Sequence, residues 1–176
     1  VSGAEGMSQT LYDYLKLLEF YALGSYKTLA KKMCRDNRML LYLDGHYNTG
    51  DSPNENYARE FLELFTIGKG AQIDVDNYTN YTEEDVKAAA KVLSGYRYQL
   101  DNSEKDPDTG IRYCRVNPPR HSGVDKVFSS CFGTSGITIP GSNTEEGMDM
   151  ELELFVNMVF DQIATARNIS RKLYRY

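Results

Sequence analysis

The chain has 176 residues, of which 41% are hydrophobic and 26% are charged, and this composition is typical of a globular domain that buries its own core. Its formal net charge of −5 gives it no domain-wide basic surface, which excludes binding to a nucleic-acid backbone as its main role. It contains no run of about 18 apolar residues, so the sequence predicts no transmembrane segment.

Two helices and a helical turn are predicted at the start of the chain. Apolar residues at helical spacing place the first helix over Ser8–Leu23, and Gly24 ends it. Ser25 is a suitable N-cap for the second helix, and a short helical turn follows over Arg38–Leu43. Residues 44–51 are polar and include two glycines, so they are predicted to form a loop.

The sharpest local signal is a capping box predicted at residues 52–55 (Ser-Pro-Asn-Glu). Ser52 would cap the next helix, proline would occupy its first position, and Glu55 would reach back to the backbone N–H of Ser52. An apolar stripe at helical spacing then continues to Gly68. A further helix is predicted to begin at Thr82, with acidic residues in its first turn, where they favour the helix dipole.

The pattern changes between residues 96 and 140, where helical spacing is lost. Residues 96–100 and 111–116 are rich in strand-forming residues, and an acidic, turn-rich segment joins them. This arrangement predicts a β-hairpin, and residues 126–128 predict a third short strand. Glycines and a proline mark the segment that follows as a loop.

Two helices are predicted to close the chain, the first capped by Asn143 or Thr144 and the second by Asp161. The expected fold is therefore mainly α, with a helical core of about five to seven helices and a small β-hairpin or irregular insertion between residues 96 and 140. Residues 1–176 are expected to form a single domain.

Three cysteines occur, and none belongs to a C-x-x-C pair, so no zinc knuckle is indicated. Cys34 lies in a helical pattern and is expected to be a small buried hydrophobic residue. Cys114 and Cys131 would pair in an oxidising compartment or remain free thiols, and their spacing does not decide between the two.

Polar residues gather in the loop 44–51 and in the helix predicted after it. Oxygen ligands from this region suit a hard divalent cation such as calcium, and two carboxylates on one helical face suit an acid and a base. The chain has two histidines, His46 and His121, which are candidate bases and metal ligands because histidine titrates near neutral pH. A structural polar network, in which Arg59 pairs with Glu55, explains the same residues without chemistry.

Two long segments, residues 41–48 and residues 52–68, resemble the central signature of the bacterial family called domain of unknown function 1800. Residues 81–86, 117–128 and 164–174 agree with the same family. The resemblance covers nearly the whole chain, in the family's order. Two features depart from the family's pattern, since tyrosine follows Gly95 where the family usually has tryptophan, and two insertions look longer than usual.

The resemblance implies an exported protein that is longer than this chain, so residues 1–176 would be an internal fragment. It also implies a partner of the exported alkaline-phosphatase-like type, called domain of unknown function 1501, and it carries over no established activity. Export in turn favours a disulfide between Cys114 and Cys131. In a fragment of this kind, Leu173 and Tyr174 of the last helix are expected to be partly exposed.

Three sets of candidate residues follow. The candidate catalytic residues are Asp44, Glu60 and His121. The candidate metal ligands are Asp44, His46, Glu60 and His121. The candidate binding residues are polar residues of the signature, namely Asn48, Asn54, Asn56 and Arg59. We expect the signature residues to form one buried polar cluster.

Three functions remain open on this basis. The leading hypothesis is an accessory or binding module that acts with a partner protein at the cell envelope. The second is a hydrolase that uses an Asp/Glu/His cluster, with or without a divalent cation. The third is a structural component of a secretion or surface assembly.

Overall fold

The computed structural model describes residues 3–101 and 104–175, and within them the protein is mainly α-helical, as expected. The helices are α1 (Gly3–Phe20), α2 (Tyr26–Met33), α3 (Asn37–Tyr42), α4 (Asn56–Glu60), α5 (Glu83–Val92), α6 (Glu145–Phe160) and α7 (Ile163–Tyr174). Short 3₁₀ turns are formed by Gly45–Tyr47 and Pro118–Arg120. None of the helices described is long and apolar enough to cross a membrane.

Among the described residues, six short strands form three separate antiparallel pairs. They are β1 (Gln72–Asp74) with β2 (Asn77–Tyr78), β3 (Tyr96–Arg97) with β4 (Arg115–Val116), and β5 (Lys126–Phe128) with β6 (Ile137–Ile139). The hairpin predicted from residues 96–100 and 111–116 is present, but its paired part is two residues long on each side. The strand predicted at residues 126–128 is confirmed, and it pairs with a segment that was predicted to be a loop.

The capping box predicted at residues 52–55 is wrong. The helix begins at Asn56, and Glu55 stands at its N-cap without a side-chain hydrogen bond to the helix backbone. Contacts of the preceding loop explain this difference. Thr49 Oγ1 accepts from the backbone N–H of Ser52 at 3.2 Å, which is the donor that Glu55 was predicted to bind, and Asn48 Oδ1 accepts from the backbone N–H of Asn54 at 2.9 Å. A true capping box occurs at Thr82, whose hydroxyl and backbone N–H both bond with Asp85.

The helix after this loop changes its winding along its length. It is α-helical in α4 and continues as a π-helix over Phe61–Phe65, where a turn contains an extra residue. Thr66 closes this segment, since its hydroxyl donates to the carbonyl of Phe61 at 2.7 Å. The winding leaves Phe61 and Leu62 both buried against the core.

The core lies where α5 and α6 pack with the π-helical segment and β5. Three phenylalanines meet at its centre, with ring centroids 5.3 Å apart for Phe61 and Phe155 and 5.7 Å apart for Phe128 and Phe155. Leu62 and Leu152 are fully buried beside them. These side chains bring together residues from three distant parts of the sequence.

The last helix packs loosely, as the sequence analysis expected. Leu173 is 74% exposed and Tyr174 is 92% exposed, and Thr165 is the residue of α7 that is buried among those described. The first helix also leaves apolar side chains in solvent, among them Leu11 and Leu15.

The disulfide expected between Cys114 and Cys131 is not formed, because all three cysteines are free thiols. Cys114 is buried, and its backbone N–H donates to the carbonyl of Arg35 at 2.9 Å. Cys34 is fully buried, as predicted, and burial raises the pKa of its thiol.

Candidate functional site

Three asparagines of the signature bind the loop 44–55 to the helices around it. Asn48 is fully buried, and its amide donates to the carbonyl of Ala90 at 2.7 Å while its oxygen holds Asn54. The Asn54 oxygen accepts from the backbone N–H of Asn56 at 3.0 Å, and the Asn56 amide donates to the carbonyl of Leu43 at 3.1 Å. These bonds satisfy the loop's own backbone, which is a structural role.

The other candidate residues of this region have separate surroundings. Asp44 is exposed, with a left-handed backbone (φ 57°). The ring of His46 lies on Tyr47, and its Nδ1 lies 3.0 Å from the carbonyl of Leu40. The side chain of Glu60 makes no hydrogen bond or ion pair with any described residue. In the part of the chain that the structure describes, no group of three or more His, Cys, Asp or Glu side chains could hold a metal ion.

Arg59 links α4 to α5 by a bidentate ion pair. Its two terminal nitrogens lie 2.8 and 2.6 Å from the two oxygens of Glu83, and one of them lies 3.0 Å from Glu55. These charge-assisted hydrogen bonds raise the pKa of Arg59 and lower the pKa of Glu83. Both helices are thereby held at a fixed spacing.

His121 belongs to a different, deeply buried network. Its Nδ1 lies 2.8 Å from the carbonyl of Ser94, and its Nε2 lies 3.0 Å from a carboxylate oxygen of Glu151. Lys126 contacts the same oxygen. Both ring nitrogens are therefore engaged inside the protein. A substrate in solution cannot reach them without displacing the core.

The asparagine network and the histidine network adjoin through the backbone. The N–H of Gly50 donates to the carbonyl of Arg120 at 2.8 Å, and the N–H of Gly95 donates to the carbonyl of Asn48 at 3.1 Å. Gly95 has a φ of 81°, and a Cβ there would lie 3.0 Å from the backbone nitrogen of His121. Only glycine leaves room for the backbone of His121 to come this close to residue 95. The signature residues thereby keep the asparagine network and the histidine network side by side.

The two charged partners of His121, Glu151 and Lys126, were not predicted from the sequence. A signal for Glu151 was present, because it lies on the core-facing stripe of α6 beside Met148, Leu152 and Phe155. A carboxylate at such a position needs a buried partner. Lys126 gave no comparable signal, since a lysine in a short strand is usually exposed.

An open groove lies elsewhere, between α1, α2, α6 and the turn 105–113. It consists of two adjoining hollows, of about 470 Å³ and about 530 Å³, which share Thr109, Ile111 and Arg112. The second hollow is bordered by Tyr12 and Phe20, which are 57% and 55% exposed. Their rings offer an apolar surface beside a charged one.

The first hollow is lined by ion pairs between the elements that face each other across it. On the side of α2, the cations are Lys27, Lys31, Lys32 and Arg35. Three of them are neutralised, because Lys31 contacts Glu153, Lys32 contacts Asp106 and Asp108, and Arg35 lies 2.8 Å from Asp149. The ammonium of Lys27, like that of Lys105 in the second hollow, makes no hydrogen bond or ion pair with any described residue.

Asp36, at one wall of the first hollow, should make stability depend on pH. Its buried side chain accepts from the backbone N–H of Met39 at 2.9 Å, and burial raises its pKa to about 6. The pKa of an aspartate in an unfolded chain is about 3.9. Between these values the folded protein binds more protons than the unfolded chain, so this group's contribution to stability falls as the pH rises from about 4 to about 6.

The variant Asp36→Asn keeps an acceptor for the cap and does not ionise. We expect it to exceed the wild type in free energy of unfolding by about 1–3 kcal/mol at neutral pH, since one pKa unit corresponds to about 1.4 kcal/mol, and to match it near pH 4. Urea denaturation at both pH values measures the difference, with Asp51→Asn on an exposed loop residue as the control. An equal difference at both pH values would contradict the prediction.

The comparison with known proteins identifies a family. No curated protein and no solved structure matches the chain. The profile of the family described as protein of unknown function (DUF1800) matches residues 1–176, the whole chain. The resemblance seen in residues 41–48 and 52–68 is thereby confirmed, and the chain belongs to the DUF1800 family.

Proposed function

We propose that this chain is a binding module, and that its groove takes an acidic, partly apolar segment of a partner protein. The observation that carries the proposal is the pair of joined hollows. The first is lined by the Lys27 ammonium, and the second by the Lys105 ammonium and the exposed rings of Tyr12 and Phe20; neither ammonium has a partner among the described residues. We further propose that the module is an accessory exported protein acting at the cell envelope. Export and a partner of the alkaline-phosphatase-like type rest only on the family resemblance of the sequence.

The size of the groove fits a short peptide segment. Each hollow lies within the range of roughly 300–1,000 Å³ that is common for ligand sites. Exposed aromatic rings are frequent anchors in protein interfaces, because they bury a large apolar area at a small cost in side-chain entropy.

The charge of the groove favours an acidic segment. Its carboxylates are already paired with cations or, for Asp36, buried as a helix cap. The charges left without a partner among the described residues are the two lysines. Acidic side chains would complete these pairs, whereas a basic segment would meet like charges.

The contacts of the candidate catalytic residues support the hydrolase hypothesis less than the groove supports a binding module. Asp44 is exposed, the Glu60 side chain has no partner among the described residues, and His121 is bonded to Glu151 in the interior. No hydrogen bond joins any two of the three candidates. The polar signature has a structural explanation in the loop and helix contacts that it makes.

A fluorescence-anisotropy titration tests the proposal. The probe is a labelled peptide of alternating glutamate and leucine, and the comparison peptide has lysine in place of glutamate. We expect the acidic peptide to bind and the double variant Lys27→Glu/Lys105→Glu to weaken binding at least about tenfold, because two attractive pairs become repulsive. Binding should also weaken as salt is added.

The control variant is Lys87→Glu, a charge reversal on an exposed residue of α5 that does not line the groove. It should bind the acidic peptide like the wild type. The proposal is rejected if the double variant and the wild type bind alike, or if the lysine peptide binds as tightly as the glutamate peptide.

A further inference from the structure

A lysine, a glutamate and a histidine meet in the interior where β5 faces α6. The side chains of His121 and Lys126 are 0% exposed, and that of Glu151 is 2% exposed. Lys126 Nζ contacts Glu151 Oε2, while His121 Nε2 lies 3.0 Å from that oxygen and 3.3 Å from Nζ. Charged groups at this depth lose their hydration, which disfavours an ammonium and a carboxylate.

The hydrogen bonds of His121 indicate where the protons lie. Its Nδ1 faces the carbonyl oxygen of Ser94, which can only accept, so Nδ1 carries a proton. A second proton on Nε2 would set an imidazolium 3.3 Å from the Lys126 nitrogen, with one carboxylate to balance two cations. A neutral ring leaves a lone pair at Nε2 facing Glu151 Oε2. The lone pair can accept from the Lys126 amino group, 3.3 Å away, or from Glu151 in its carboxylic acid form.

Lys126 Nζ contacts Glu151 Oε2 and can supply that proton. Burial lowers the pKa of the Lys126 amino group, opposed by the nearby Glu151. Transfer of the proton from Lys126 to Glu151 would leave a neutral amine in contact with a neutral carboxylic acid. These are the forms of the two groups that can react to form an amide.

We propose that Lys126 and Glu151 become joined by a covalent amide bond, with His121 carrying the protons. The amine nitrogen attacks the carboxyl carbon Cδ of Glu151, and the new N–C bond forms as the C=O electron pair moves onto Oε1. His121 Nε2 takes a proton from the attacking nitrogen and delivers it to Oε2. The C–Oε2 bond then breaks, one water molecule leaves, and no oxidant or co-reactant is needed.

Two backbone groups are placed to assist this step. The N–H of Ser142 donates to Glu151 Oε1 at 2.6 Å, so it would stabilise the negative charge that develops on Oε1 during the attack. The carbonyl of Ser122 accepts from Lys126 Nζ and holds the amine in place. Both hydrogen bonds survive in the product, because the amide retains one carbonyl oxygen and one N–H.

The bond would join β5 to α6 and close the chain between residues 126 and 151 into a loop. A cross-link of this kind removes conformational freedom from the unfolded chain, and unlike a disulfide it is not opened by thiols. It would thus provide a redox-independent staple in a chain whose cysteines are free.

Mass spectrometry of the denatured intact chain tests the proposal. We expect most of the wild-type molecules to be lighter than their sequence requires by the mass of one water molecule. Digestion should yield a branched peptide in which the segment containing Lys126 is attached to the segment containing Glu151. A wild-type mass equal to that of the sequence, with the Lys126 peptide recovered unbranched, would overturn the proposal.

Two variants separate this bond from any other loss of water. Lys126→Met removes the attacking nitrogen, so its mass should equal that of its own sequence. Lys87→Met removes an exposed lysine of α5 and should show the same loss of water as the wild type. Loss of water from the Lys126→Met chain would also overturn the proposal, and the branched peptide decides the matter in wild-type protein if this variant does not fold.

Discussion

Replacing Phe155 by alanine should lower the free energy of unfolding by about 3–5 kcal/mol. The ring is fully buried between the rings of Phe61 and Phe128, with centroids 5.3 and 5.7 Å away. Its removal forfeits the transfer free energy of the ring and leaves a cavity, because the two neighbours are held by the π-helical segment and by β5. Urea denaturation followed by circular dichroism measures the loss.

The matched control is Tyr174→Ala, which removes a ring of similar size from the end of α7. Tyr174 is 92% exposed, so its replacement should change the free energy of unfolding by less than about 0.5 kcal/mol. A cost for Phe155→Ala below about 1 kcal/mol would show that the aromatic centre is not packed as the structure describes.

Replacing Asp85 by alanine should destabilise the protein by about 3–5 kcal/mol, since a hydrogen bond to a charged group contributes about 1.5–3 kcal/mol and several are lost together. The buried carboxylate accepts from the backbone N–H of Thr82 at 2.7 Å and from that of Ser129 at 2.6 Å. It also accepts from the hydroxyls of the same two residues, at 2.9 and 2.7 Å. Alanine would leave these donors without an acceptor.

Glu84→Ala is the control for Asp85, because it removes an acid from the same turn of α5. Its side chain is 77% exposed, and its i,i+3 pair with Lys87 is a surface contact worth about 0–1 kcal/mol. Thermal and urea denaturation should both rank Glu84→Ala close to the wild type and Asp85→Ala far below it. Equal losses for the two variants would mean that Asp85 acts only through the helix dipole.

The helices could be predicted where their signals are local. The cap at Thr82 and the stripe that follows it place α5 within one residue of its observed start. For α6, Thr144 is the observed cap of the two predicted, Asn143 and Thr144. The signal at residues 52–55 failed because Thr49, in the preceding loop, takes the N–H of Ser52 that Glu55 was predicted to bind. The strand β6 was missed because it is three residues long and is defined by pairing with β5.

Only part of the polar site could be predicted, because some of its contacts join residues that are far apart in the sequence. His121 was a candidate from its residue type, but its partner Glu151 lies 30 residues away and no spacing rule joins them. The groove escaped the sequence analysis entirely. The cations of α2 recur on one helical face, yet the carboxylates that neutralise them belong to the turn 106–108 and to α6. Such complementarity becomes visible only after the chain has folded.

The ion pairs that span the first hollow also affect the order in which the molecule assembles. Lys31 and Glu153 are 122 positions apart, and Arg35 and Asp149 are 114 positions apart. Contacts of high sequence separation slow folding, because chain entropy is lost before they form. During synthesis α2 is made long before α6, so the cations of α2 remain exposed to solvent until the carboxylates of α6 are made. These ion pairs can therefore form only after α6 has been made.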